Sequence, residues 1–313
     1  MSASKNMLIQ LRRFTGISLA LCLLLNLTSV RADSEDTIHV RYYQGGTVPE
    51  YAVRVLTLAL QKSGHSYSLT PVTTPMTTPR IVRTIRNNTP DSVNLFWAAS
   101  SPDLENTLAA IPVPIERGLI GFRVLAISQE HLPQIEQMNN DHKVRAISLL
   151  QGIGWSDTAI LRKNGFTVTE ASPDNLYNML AAGRADAFPR SALDAERELR
   201  TQQKSHPGLT IAPGIALMYP RFGVFFFVSA DNKPLRNAME KGMQVALKDG
   251  SFLKLYEEDP DIRSALRMLR DPRKIYRLAE TSPDSALHKL DASLFEPLLS
   301  GLPKENAATN TKK

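Results

Sequence analysis

The chain has one cysteine, Cys22, among its 313 residues, so no disulfide can form within it and the core must supply its stability. Its six histidines, at positions 39, 65, 131, 142, 206 and 288, are scattered. None stands in a His-x-x-x-His or His-x-Glu pair, which argues against a zinc site. There is no phosphate-binding Walker loop, no Gly-x-Ser-x-Gly elbow, and no appended stretch that reads as a transglycosylase, kinase or cyclase. These absences predict a protein that is not an enzyme and holds no metal or cofactor.

Long apolar runs are also missing beyond the start of the chain. There, Ile17 to Leu25 is apolar, Lys5, Arg12 and Arg13 precede it, and Val30-Arg31-Ala32 follows. A run this short is well under the ~20 residues that a membrane-spanning helix needs. A basic start, an apolar middle and small residues at the exit instead predict a secretory signal peptide over 1–32, cleaved after Ala32, and a periplasmic protein with no membrane insertion. Leu21 rather than a small residue precedes Cys22, which argues against lipidation, and the surroundings of Arg12-Arg13 do not support a twin-arginine signal. Cleavage would leave 281 of the 313 residues and no cysteine, enough for two lobes each with its own core. Four basic and no acidic residues leave with the peptide, so the formal charge falls from +6 to +2. A nucleic-acid partner is not expected at so small a charge without a clustered basic face.

What is present is an alternation of strands and helices. Thr37–Tyr43 reads as a first strand, and Ala52, Val55, Leu56, Ala59 and Leu60 recur at helical spacing up to Gly64. A strand over Ser66–Val72, a helix around Ile81–Arg86 and a strand at Val93–Ala98 follow. After a long strand from Arg117 to Ile127 the pattern resumes. Strands are predicted at Val144–Leu149, Phe166–Val168 and Ala185–Phe188, and helices at Ser156–Asn164, Asn175–Gly183 and Ala192–Arg200. Gly223–Val228 is continuously apolar, as in a strand buried on both faces. Leu235, Ala238, Met239, Gly242, Met243 and Ala246 form one helical stripe, and a further helical turn runs through Phe252–Tyr256. The order predicts an α/β protein built of mostly parallel sheets covered by helices.

The stretch from about Gly118 to Glu258 resembles bacterial solute-binding proteins of the amino-acid-binding (family 3) type. Leu176–Phe188, with its Gly-Arg-x-Asp turn, Tyr219–Phe227, and Leu235–Tyr256 with Lys248-Asp-Gly-Ser251 carry the resemblance, which extends more weakly back to Ile38. Within that type the chain is closer to a branch sharing the stretches seen here as Arg117–Arg123, Gly152–Thr158 and Phe188–Ser191. The resemblance implies a two-lobed periplasmic-binding-protein-like fold (type II) with Leu119–Ile127 and Gly223–Val228 as crossing strands, and hinge closure on a ligand between the lobes. It divides the chain into a first lobe over 33–122, a second over 123–222, a return segment over 223–260, a C-terminal helical extension over 261–303 and a disordered tail over 304–313. The usual amino-acid clamp is absent. Ala98–Glu105 has no arginine for a carboxylate, and Ala187–Arg190 is basic where an acid would hold an ammonium.

Ligands in open α/β sheets sit beyond the carboxyl ends of the strands. That rule selects Tyr42, Tyr43, Trp97 and Ser100 in the first lobe, although one tyrosine and Trp97 equally suit packing beneath helices. In the second lobe it selects Gly154, Trp155, Ser156 and Asp157. There two glycines allow close backbone approach, Ser156 suits an N-cap, and the helix start favours an anion, although Asp157 already satisfies the dipole. Arg190 offers a planar fork for a carboxylate or phosphate, or a partner for Glu105, Glu196 or Glu198. Arg80 and Arg123 are further candidates or surface charges, and Glu105 suits a cationic group or the turn after Pro102. The expectation is a monomeric solute-binding protein for a small organic anion or zwitterion, delivering it to a membrane transporter or a sensor protein. The alternatives are a ligand-responsive receptor partner with no role in uptake, or a dehydratase-like enzyme using Glu105 or Asp157 as base.

Overall fold

A computed structural model describes residues 37–44, 50–138, 140–155, 157–270, 274–279 and 285–296. The predicted signal peptide, Ser156 and the tail over 304–313 lie outside these residues. Two sheets dominate. In the first, β1 (Ile38–Tyr43) pairs in parallel with β2 (Tyr67–Val72) and β3 (Leu95–Ala99). The sheet closes with β4 (Ala109–Ala110) and β10 (Val224–Val228) in the order β2-β1-β3-β10-β4. The second sheet comprises β5 (Phe122–Ser128), β8 (Phe188–Ser191), β9 (Leu209–Met218) and β11 (Lys274–Arg277), ordered β11-β9-β5-β8. A parallel pair, β6 (Ser148–Gly152) and β7 (Thr167–Ala171), adjoins β8 through a bridge from Leu149 to Ala187.

Helix α1 (Glu50–Ser63) buries Ala52, Val55, Leu56, Ala59 and Leu60, the residues that helical spacing selects. Helix α2 (Thr78–Arg86) buries Ile81 and Ile85, and α3 (Pro102–Thr107) starts at a Ser101 cap. The second lobe carries α4 (Leu132–Glu136), α5 (Asp141–Arg145), α6 (Asp157–Lys163), α7 (Leu176–Ala181) and α8 (Ala195–Gln202). The chain then returns to the first sheet with α9 (Lys233–Lys248), α10 (Ser251–Glu258) and α11 (Pro260–Arg270). Strand β10 is the centre of the first core. Val224, Phe226 and Val228 pack on the α1–α9 side, while Phe225 and Phe227 face Ile81, Ile85 and Phe96. Burying each phenylalanine stabilises by about 1.5–3 kcal/mol, which explains a strand with no polar residue.

Four elements depart from the sequence reading. The strand expected over Val144–Leu149 starts only at Ser148, because the Asn140 side chain accepts a hydrogen bond from the Lys143 N–H and caps a helix over Asp141–Arg145. The strand around Ala187 begins later, since the Asp186 carboxylate accepts from both the N–H and the hydroxyl of Ser148 and holds the chain in a turn. Strand β9 was hidden by Pro213-Gly214, which reads as a turn but lies at an irregularity opposite Val124–Ala126. Because β5 runs antiparallel to both β8 and β9, the second sheet is less parallel than predicted.

The fourth departure is at the C-terminal end. Residues 260–270 are helical, but Lys274–Arg277 is a strand parallel to β9 in the second sheet, and 285–296 holds short 3₁₀ turns against the first. Among the described residues of the expected helical extension over 261–303, only the start is α-helical. The lobe crossings are also shorter than predicted. Strand β5 stays within the second sheet and β10 within the first, so the chain crosses at about 116–121 and 219–223, where the Tyr219 N–H donates to the Gly121 carbonyl.

Candidate functional site

The carboxyl end of β3 borders two cavities between the lobes. The larger, about 360 Å³, has Ser100, Ser101 and Glu105 on one wall and Ala159, Ile160, Lys163, Tyr219 and Phe222 on another. The smaller, about 180 Å³, is lined by Trp97, Tyr51 and Glu116 from the first lobe side and Leu193, Asp194 and Arg197 from the second, with Asp259 and Asp261 at its edge. Arg197 also borders an open depression on the second lobe, lined by Trp155, Tyr177, Phe188, Arg190 and Glu198.

Beside the larger cavity lies a buried polar group on the second lobe. The Arg123 guanidinium lies over the Tyr219 and Phe222 rings, 5.1 and 5.5 Å from their centroids, and 3.4 Å from the Asp157 carboxylate. The Gln151 amide donates to the same carboxylate at 3.2 Å. Yet Arg123 Nε, Gln151 Oε1, Thr158 Oγ1 and Tyr219 OH are all buried without a hydrogen-bond partner. Leaving such a group unsatisfied costs about 1–3 kcal/mol, and of the four only Tyr219 lines the larger cavity. The Tyr219 hydroxyl has its pKa raised, first by burial and then by the nearby Asp157 charge.

The other predicted residues scatter. Tyr42 is core, stacked 6.1 Å from Trp97, and the Tyr43 hydroxyl donates to the Met76 carbonyl, so neither tyrosine enters a cavity. Arg80 is exposed and borders neither cavity. Trp97 and Ser100 do reach the cleft, one in each cavity. Glu105 lines the larger cavity but accepts from the Ser285 hydroxyl at 2.8 Å, so it anchors the C-terminal segment as well. Asp157 is buried against Arg123 instead of standing free at its helix start.

Arg190 resolves the choice among its possible partners. Its Nε and Nη2 both donate to Glu198 at 2.6 Å, and the Tyr177 hydroxyl donates to the same carboxylate at 2.8 Å. The guanidinium also lies 5.0 and 4.8 Å from the Trp155 and Phe188 ring centroids. Burial opposes the charge on Glu198, but these bonds and the Arg190 charge outweigh it and lower its pKa. Arg190 is therefore neutralised within its own lobe, which removes much of the case for an anion at this point. Trp155 folds back over Gly152, where a Cβ would strike its ring, and leaves Gly154 at φ +77 and Ile153 exposed at the tip of the turn.

Sequence reasoning missed Glu116, Asp194 and Arg197. Glu116 is 8% exposed, and its Oε2 is buried without a partner. Its carboxyl is pushed up to about 8, first by burial and then by Asp194, partly offset by the N–H groups of Glu116 and Val224. The signal was a lone acid close behind the apolar positions Ile111, Val113 and Ile115. Nothing in the sequence placed Asp194 or Arg197 opposite it, because they lie across the hinge.

No protein-family model matches the chain, and no curated protein sequence matches it. Solved structures do. An ancestral arginine-binding protein bound to arginine is 13% identical, with 70% of this chain and 97% of that one covered and a TM-score of 0.49. A probable amino-acid ABC transporter extracellular-binding protein from Bacillus subtilis is 16% identical over 70% and 96% of the two chains, also at 0.49. A histidine kinase sensor domain with similarity to periplasmic binding proteins is 12% identical over 72% and 96%, at 0.50. No helix among the described residues is long and apolar enough to cross a membrane. With two α/β lobes joined by paired crossings and this structural likeness, the chain has the two-lobed periplasmic-binding-protein fold.

Proposed function

We propose that this protein is a periplasmic solute-binding protein that captures a small polar ligand between its lobes by hinge closure and presents it to a membrane transporter or a sensor protein. The observation that carries this reading is the larger cavity between the lobes, with Ser100 and Glu105 on one wall and, on another, Tyr219, whose hydroxyl is buried without a hydrogen-bond partner. A cavity of about 360 Å³ suits a ligand of metabolite size. The arginine-free stretch Ala98–Glu105 disfavours an ordinary amino acid held by its carboxylate.

Native mass spectrometry of the secreted protein, before and after mild unfolding, tests the reading. A small mass released on unfolding identifies the ligand. Adding that ligand back to stripped protein should contract the radius of gyration in X-ray scattering. Empty protein, together with no thermal shift across a panel of small acids, amines and zwitterions, would overturn capture.

A further inference from the structure

The smaller cavity between the lobes has an unusual charge balance. Four acids line it, Glu116, Asp194, Asp259 and Asp261, against a single base, Arg197. That base is already shared, since its guanidinium donates to both Asp194 and Asp261. Asp259 is likewise occupied, by the Arg54 guanidinium and by the N–H groups of Asp261 and Ile262 at the start of α11. Glu116 is the exception. It has no ion pair among the described residues, it is more than nine-tenths buried, and its Oε2 has no hydrogen-bond partner.

The remaining walls are apolar or aromatic: Trp97, Tyr51, Ile120, Leu193 and Val224. The Tyr51 hydroxyl is used, donating to the Ile115 carbonyl at 2.8 Å, so this ring offers the cavity mainly its apolar body. A buried carboxylate facing an indole is the combination that recognises an organic cation, by charge and by attraction to the ring face. An anion would meet a surplus of negative charge, and a neutral apolar molecule would leave the Glu116 oxygen unsatisfied. Resting on the capture reading above, we infer that this cavity is the subsite for a small organic ammonium group, with the Glu116 carboxylate as its counter-ion and Trp97 as its aromatic wall.

The ionisation of Glu116 supports the assignment. Burial and Asp194 push its carboxyl up to about 8, so Glu116 is largely protonated near pH 7 before a cation enters. The groups facing it are Asp194 and Arg197 at the start of α8, Tyr51 and Arg54 on α1, Tyr256 on α10, Asp259 and Asp261 at the α10–α11 junction, and Arg117 beside it. Of these, only Asp194 reinforces the shift. An ammonium ion entering beside the carboxylate lowers its pKa again, so binding should release a proton from the protein and strengthen as pH rises towards 8.

The test uses n-butylamine as probe and butyrate as its charge-reversed control, read by thermal unfolding and titration calorimetry on the secreted protein at about pH 6 and about pH 8. The inference expects n-butylamine to raise the unfolding midpoint, more at the higher pH, with proton release in buffers of different ionisation heat, and no response to butyrate. Glu116→Gln should weaken n-butylamine roughly tenfold or more and abolish the proton release. Should that variant fold poorly, Asp194→Asn should weaken it several-fold on its own. No response of the folded wild type, or an unchanged response in both variants, overturns the subsite. If n-butylamine fails while the co-purified molecule binds and contracts the protein, the subsite falls and capture stands. If n-butylamine binds at Glu116 without contraction, the subsite stands and hinge closure falls.

Discussion

Glu116 shows how one residue can set the pH behaviour of a fold. In the unfolded chain its carboxyl has the ordinary value of 4.5, and burial raises it to about 8 in the folded protein. Between those values the folded state holds a proton that the unfolded state has lost. The stability linked to Glu116 is therefore fully present below about pH 4.5 and is lost as pH rises through about 8. At ~1.4 kcal/mol per pH unit the whole effect is on the order of a few kcal/mol. Denaturant unfolding should thus find Glu116→Gln similar to wild type near pH 5 and more stable at pH 9, roughly in those terms. Parallel pH profiles for the two proteins would contradict this. Arg190 teaches the opposite lesson. Its fork was a ligand candidate from chemistry alone, but Glu198 lies one helical turn into α8 and takes both its donors.

Among the elements, the pairing of α1 with α9 is the closest contact in the first lobe. Gly242 sits where α9 meets α1, and a Cβ there would strike the Ala59 carbonyl oxygen. On an exposed helix, Gly→Ala would stabilise by about 1 kcal/mol through helix propensity. Here the sign reverses, because the two backbones must separate and the buried stripe of Leu235, Met239 and Met243 must shift with them. Gly242→Ala is expected to destabilise by about 1–3 kcal/mol in urea or thermal unfolding. A neutral or stabilised variant would mean the helices pack less closely than described. The stripe that contains Gly242 was readable at the sequence level, since a 3.6-residue period names the buried face without naming what covers it. Strand β9 was not readable, because Pro213-Gly214 interrupts its alternation and only pairing with β5 makes it a strand.

For the whole molecule, the crossings between the lobes are braced by the C-terminal segment. Each crossing contains an arginine with left-handed backbone, Arg117 at φ 50 and Arg221 at φ 52, a conformation that costs a non-glycine residue about 1–2 kcal/mol. Both guanidinium groups reach the same segment. Arg117 donates to the Ser293 and Glu296 carbonyls, and Arg221 to those of His288 and Leu290. Glu105 holds the start of that segment through Ser285, and Phe295 packs 6.2 Å from Phe225. Strand β11, just before it, belongs to the second sheet. The proposed hinge closure would therefore carry this segment along. Replacing both arginines by alanine should cost about 1–3 kcal/mol. It should also speed hydrogen exchange at the Leu287–Leu294 amides, whereas unchanged exchange would show that the segment holds without them.

The periods, breaks and apolar runs of the sequence determined most of the elements and the α/β class, and the family resemblance implied the two-lobed plan. The elements and the class depend on which residues a helix or strand must bury, and that is a local property. The rule that ligands sit beyond the carboxyl ends of strands selected the regions after β3 and β6. Trp97, Ser100, Glu105 and Arg123 do lie in or beside the between-lobe cavities. Only the tertiary structure decided which charges stay free. Arg190 is quenched by Glu198 and Asp157 by Arg123, while Glu116, opposite Asp194 78 positions away, has no ion pair among the described residues. Charge pairing and burial arise from tertiary contacts, within one lobe for Arg190 and Arg123 and between lobes for Glu116, and a linear pattern carries no information about which side chains those contacts will join.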